Sequence, residues 1–136
     1  MADSVIVNKS ASIERCLRRI REDYFGHEED FETDFMRQDA ILLNLQRACE
    51  QSIGSSNHLV RIYRLGAPQG AEDTFDLLQK AGIITPDLCR KLTHMVGFRN
   101  IAVHEYSKLN LNVVRAIIEK HLDDFSEFVS IALRHA

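Results

Sequence analysis

Arg99, Asn100, His104 and Tyr106 fall within eight residues, and two of the four carry groups that can act on a phosphate. The Arg99 guanidinium is a permanent, planar cation whose fork of N–H donors can hold a phosphate. The His104 imidazole titrates near neutrality, so it can take or give a proton at that phosphate. Tyr106 adds a phenol two residues later. Singly, each has a plainer reading. Arg99 can be a solvated helix cation, His104 a satisfied or solvent-facing ring, and Tyr106 a core-edge ring with its hydroxyl in water. Their combination, beside the polar Asn100 and Glu105, argues for chemistry.

Geometry sets a condition on that chemistry. On one continuous helix Arg99 and His104 stand five residues apart, about 140° around the axis. Both reach one phosphate only if the helix ends or loosens between them, or if a second chain contributes.

The elements that must position them are helical. Ile6, Ile13, Cys16, Leu17, Ile20 and Tyr24 fall at three- and four-residue spacing, which predicts a first helix from Ser4 to Phe25. Gly26 and the acidic run behind it end that helix. Asp34 can cap a second, whose stripe Phe35, Leu42, Leu45, Cys49, Ser52, Ser56, Leu59 and Tyr63 runs for about thirty residues. Gly54 lies inside it at a cost of about 1 kcal/mol relative to Ala, so a packing reason or a kink is expected. Gly66-Ala67-Pro68-Gln69-Gly70 breaks the chain, and a short helix with Phe75 and Leu78 stops at Gly82, a natural C′ residue. Thr85-Pro86-Asp87 reads as N-cap, N1 proline and acidic first turn of a fourth helix with Leu88, Leu92 and Met95 on its buried stripe. That helix leads into Arg99–Tyr106. Ser107 to Asn110 reads as a turn, with Asn110 or Asn112 capping a last helix buried through Val114, Ile118, His121, Leu122, Phe125, Phe128, Val129 and Ala132. No segment alternates long enough to be a strand. The expected fold is a single all-α domain over residues 1–136, an up-and-down bundle of about five helices.

Composition excludes several classes. A 45% hydrophobic and 27% charged chain of 136 residues fits one globular core. No apolar run approaches the roughly 20 residues of a membrane span, and the N-terminal residues carry no basic leader or apolar signal core, so a cytoplasmic location is expected. A net charge of −3 argues against coating nucleic acid nonspecifically, though not against local binding. Twelve of the seventeen cations are arginine and eight of these precede Leu65, so the faces should differ in sign. Cys16, Cys49 and Cys89 lack ligand-pair spacing and read as reduced, buried thiols. The acidic run from Glu28 to Asp34 reads as a solvated loop, not a magnesium cage. No metal and no cofactor is expected.

The arrangement Arg-x4-His-x-Tyr, formed by Arg99, His104 and Tyr106 with Asn100 in place, resembles the signature of the HEPN superfamily, specifically its HepT-like toxins. Length, helix pattern and the segment Gln38-Asp39-Ala40-Ile41-Leu42-Leu43-Asn44-Leu45-Gln46-Arg47 are similar too, so the resemblance covers essentially the whole chain. It implies a metal-independent endoribonuclease that works as a homodimer, the toxin of a type VII toxin–antitoxin pair. The implied partner is a small nucleotidyltransferase antitoxin that adenylylates the motif tyrosine. Arg99 and His104 thereby become catalytic candidates, Asn100 a supporting residue and Tyr106 the modification site. Asp39 and Asn44 either line the same cleft or belong to a capped or solvated helix face. RNA cleavage by its own 2′-hydroxyl needs a proton acceptor, a proton donor and charge stabilisation on phosphorus. One chain supplies one motif histidine, whereas a two-fold dimer supplies two His104 and two Arg99. An alternative from a different class is a HEPN-like helical module that no longer cleaves and only partners the nucleotidyltransferase.

Overall fold

The computed structural model describes residues 2–104 and 110–136, with the side chains of residues 102–104 excepted. Helix α1 spans Ser4–Tyr24 and starts where the Asp3 carboxylate accepts from the amides of Val5 and Ile6, 2.9 and 3.2 Å away. A short 3-10 turn, Glu28–Asp30, leads to α2, Phe35–Ile62. The expected Asp34 cap forms, accepting from Arg37 N at 3.1 Å. Helices α3, Ala71–Lys80, and α4, Pro86–His104, follow, and Thr85 Oγ1 accepts from Leu88 N as the sequence signal requires. Asn110 then caps α5, Leu111–Lys120, by accepting from Asn112 N at 2.8 Å.

The last helix is two. His121 takes a non-helical backbone (φ −126°, ψ 0°) and its amide closes α5 on Ile117 O. Helix α6, Leu122–Arg134, restarts with Asp124 N on His121 O, while the Asp124 carboxylate lies 3.1 Å from His121 Nδ1. The apolar stripe turns a corner there, and His121, expected on the buried face, keeps its side chain 45% exposed. Among the described residues the bundle has six α-helices, in keeping with the about five expected, and no strand.

Helices α1 and α2 run antiparallel. His58 Nε2 meets Asp3 Oδ2 at 2.9 Å at one end, and Arg37 Nη1 donates to Asp23 O at 2.9 Å at the other. The core joins Ile6, Ile13, Leu17, Ile20 and Tyr24 of α1 to Ile41, Leu45 and Leu59 of α2 and to Phe125 and Phe128 of α6, all fully buried. Each contributes about 1.5–3 kcal/mol relative to its exposed form. The ends of the expected α2 stripe do not join it. Phe35, the first residue of α2, is 68% exposed, and Tyr63, just past its last, is 45% exposed, with its hydroxyl donating to His135 O at 2.7 Å. Gly54 has the packing reason its position demanded. A Cβ there would meet Lys9 Nζ at 3.1 Å and Cε at 3.2 Å, so the Lys9 stem crosses bare helix. All three cysteines are buried and free. Among the described residues no helix is long and apolar enough to cross a membrane.

Gly82, after α3, has φ +77°, and an added Cβ would meet nothing within 4 Å. The cost of Gly82→Ala is therefore purely conformational, about 1–2 kcal/mol. Thermal unfolding should show the corresponding drop in midpoint. An unchanged midpoint would mean that the left-handed turn is not needed.

Candidate functional site

Helix α4 carries the candidate chemistry at its C-terminal end, and its upstream turns anchor it. Leu88, Leu92, Met95, Val96 and Phe98 are buried. Cys49 of α2 reaches Met95 O through its Sγ at 3.7 Å. Burial pushes the Cys49 thiol up to about 12, against the pull of the Arg99 charge, so the thiol stays protonated in neutral solution. That pull places the guanidinium near the α2–α4 contact.

Arg99 is half-buried and Asn100 exposed. Both line a cavity of about 470 Å³ whose opposite wall is the first turn of α3, Gly70 to Asp73, together with Asp76. Among the described residues the buried Arg99 Nε has no hydrogen-bond partner, which is an unusual state for so strong a donor. The α3 N-terminus has no side-chain cap from Gly70, so the positive end of its dipole adds to Arg99. Three acidic groups temper that field: Glu72; Asp73, whose carboxylate accepts from Gln69 N at 2.9 Å; and Asp76, in contact with the Cys89 thiol at 3.6 Å. The cavity is a mixed-charge cleft with one half-buried guanidinium whose Nε has no described partner.

His104 is the last residue of α4, one helical turn beyond Asn100. Its side chain lies outside the described residues, as do Glu105, Tyr106 and the turn expected over Ser107–Leu109. The backbone is nevertheless informative. Helix α4 is unbroken from Pro86 to His104, so it neither ends nor loosens between positions 99 and 104, and the offset of about 140° stands.

Asp39 and Asn44 part company. Both are on α2, five residues apart on an unbroken helix, and therefore also about 140° apart. Asp39 is exposed, whereas Asn44 is buried, with its Nδ2 donating to Ala40 O at 3.0 Å and its Oδ1 unpartnered. The structure brings Arg99 and Asn100 into one cavity but gives Asp39 and Asn44 different surroundings.

Sequence reasoning missed the α3 wall, since Gly66 to Gly70 reads as a chain break and the short helix behind it is marked only by its apolar Phe75 and Leu78. It also passed over Gly97, a glycine in the interior of α4. A second group it did not single out is Lys91, His121 and Asp124. The Asp124 carboxylate, 9% exposed, lies 3.7 Å from Lys91 Nζ as well as against His121, and joins α4 to the α5–α6 corner.

Comparison with known proteins finds relatives along nearly the whole chain. A family model described as Ribonuclease HepT-like matches residues 13–131. The chain is 45% identical over 129 residues to mRNA nuclease HepT of Shewanella oneidensis, covering 95% of this chain and 96% of that protein. It is 27% identical over 101 residues to tRNA nuclease HepT of Aphanizomenon flos-aquae, covering 74% and 69%. Among solved structures it is similar to the tri-AMPylated Shewanella oneidensis HEPN toxin in complex with MNT antitoxin, with a TM-score of 0.90 at 45% identity over 95% of this chain and 96% of that one.

Proposed function

This chain belongs to the ribonuclease HepT-like family, and on that premise we propose that it is the toxin of a toxin–antitoxin pair, an RNA endonuclease restrained by a nucleotidyltransferase antitoxin. Near-complete overlap with a nuclease, and with a toxin solved in complex with its MNT-type partner, supports this reading. The reaction is transesterification. A base takes the proton of the RNA 2′-hydroxyl, the oxygen attacks phosphorus, and the departing 5′-oxygen receives a proton from an acid. Arg99 holds the non-bridging oxygens and neutralises charge as it builds. His104 moves the protons, one copy neutral and one protonated.

The observation that carries the two-chain site is the unbroken α4. With Arg99 and His104 fixed about 140° apart on one helix, a single copy is poorly placed to bring both to one phosphodiester. A symmetric homodimer supplies Arg99 of one copy beside His104 of the other. Large exposed side chains on α2, among them Met36 at 86% and Leu43 at 45%, are the kind of surface that a second chain covers. Tyr106 is the position at which the antitoxin attaches AMP.

Cleavage of RNA in the presence of EDTA tests the reading. The purified chain should elute as a dimer and cut single-stranded RNA with the metal chelated. A dimer that binds its nucleotidyltransferase but cuts no RNA would instead favour the non-cleaving helical module.

A further inference from the structure

A second cavity, of about 640 Å³, opens between α4, α5 and the start of α6, a volume within the roughly 300–1,000 Å³ of small-ligand sites. Phe98 and Ile101 of α4 and Val113 and Ile117 of α5 give it apolar walls. Its polar lining includes Lys91, His94, His121 and Asp124. The buried Asp124 carboxylate fixes this edge, holding His121 through Nδ1 at 3.1 Å and Lys91 at 3.7 Å. With Nδ1 so engaged, His121 has Nε2 to offer.

Gly97 lines the same cavity and is exposed. A helix-interior glycine costs about 1 kcal/mol relative to Ala. Gly54 is accounted for by Lys9, but a Cβ on Gly97 would meet no described atom within 4 Å. Nothing described in this chain requires glycine there. Bare helix backbone beside an open groove suits something from outside that lies close against it.

We propose that this groove holds a nucleobase of the RNA next to the scissile phosphate, and so contributes to where the chain cuts. The inference rests on the ribonuclease reading and deepens it. Single-stranded RNA is read by splaying bases into pockets that pair an apolar or aromatic wall with groups for the base edge. This groove has both, and the helix that forms one wall also carries Arg99 and His104. Gly97 lets the flat ring lie against α4, and the Lys91–Asp124–His121 group meets its edge with donors and acceptors already held in place.

The test fills the groove. Gly97→Leu adds a branched side chain where there is open space, at a helical position where leucine is the better helix former. Ser130→Leu makes the same apolar addition on the exposed face of α6 and serves as control. The wild-type homodimer is titrated with adenosine, guanosine, cytidine and uridine, which carry no phosphate, and backbone amide shifts are followed by NMR. At least one nucleoside should shift Gly97, Val113, Ala116 and His121, an effect lost in Gly97→Leu and kept in Ser130→Leu. In parallel, RNAs differing at one base beside the cut should be cleaved by wild type with a preference that Gly97→Leu flattens at least tenfold. If no nucleoside moves the groove while RNA is still cut, the base site is wrong and the ribonuclease reading stands. If nucleosides bind there and no RNA is cut, the base site stands and that reading falls. A Gly97→Leu chain that turns monomeric, with no nucleoside effect in wild type, would assign the groove to the second copy and overturn the proposal.

Discussion

His104→Ala should slow RNA cleavage by about 10²- to 10⁴-fold, the range expected when a general acid–base group is removed. The fold should survive, because the buried anchors of α4 from Leu88 to Phe98 all precede position 104. Arg99→Lys is the companion variant. It keeps the charge but loses the planar fork, and a lost hydrogen bond to a charged group costs about 1.5–3 kcal/mol. Its rate should therefore fall roughly tenfold to a hundredfold, with circular dichroism unchanged. Cleavage at the wild-type rate by either variant would end the assignment of roles within the site.

The second large effect concerns Tyr106. Attaching AMP through the phenol oxygen adds a negative phosphodiester and a nucleoside two residues past His104. The new phosphate competes with RNA for Arg99, and the nucleoside occupies space the substrate needs. Co-expression with a cognate nucleotidyltransferase antitoxin should yield a chain heavier by one or more AMP units on Tyr106, with RNA cleavage reduced to background. Tyr106→Phe should carry no adduct and, if it still cuts RNA, should be insensitive to the antitoxin. An unmodified chain that is nevertheless silenced in the complex would point to occlusion by the antitoxin and away from modification.

Much of this was legible in the residues because local signals and tertiary packing agree. Asp34, Thr85 and Asn110 cap helices in the structure as their types and positions require. Gly82 supplies the left-handed turn it was expected to supply. The corner at His121 was not legible, because the apolar stripe from Val114 to Ala132 continues through it while the His121 backbone leaves the helix. Phe35 and Tyr63 fit the stripe but stand at the two ends of α2, largely in solvent, Tyr63 with its hydroxyl on His135 O. Periodicity does not report where a partner helix stops.

At the site, Arg99 and Asn100 share a cavity in keeping with their proximity in sequence, but its α3 wall comes from about thirty residues away and no local pattern announced it. Asp39 and Asn44 enter as candidates through the family resemblance of the segment Gln38 to Arg47. Helical geometry separates them, leaving one exposed and the other tied to Ala40. Gly97 was readable in principle as a glycine that interrupts a good helix. Its meaning depends on knowing that nothing described in the chain packs against it.

The central claim is one active site built from two copies. It is tested most directly by RNA cleavage from a mixed dimer in which one wild-type chain is tethered to a chain carrying both Arg99→Ala and His104→Ala. A composite site predicts activity far below half that of the tethered wild-type dimer, because the remaining Arg99 and His104 sit on the same helix and cannot both be supplied to one phosphodiester. Half the wild-type activity would mean that each chain cleaves alone, and would contradict the account.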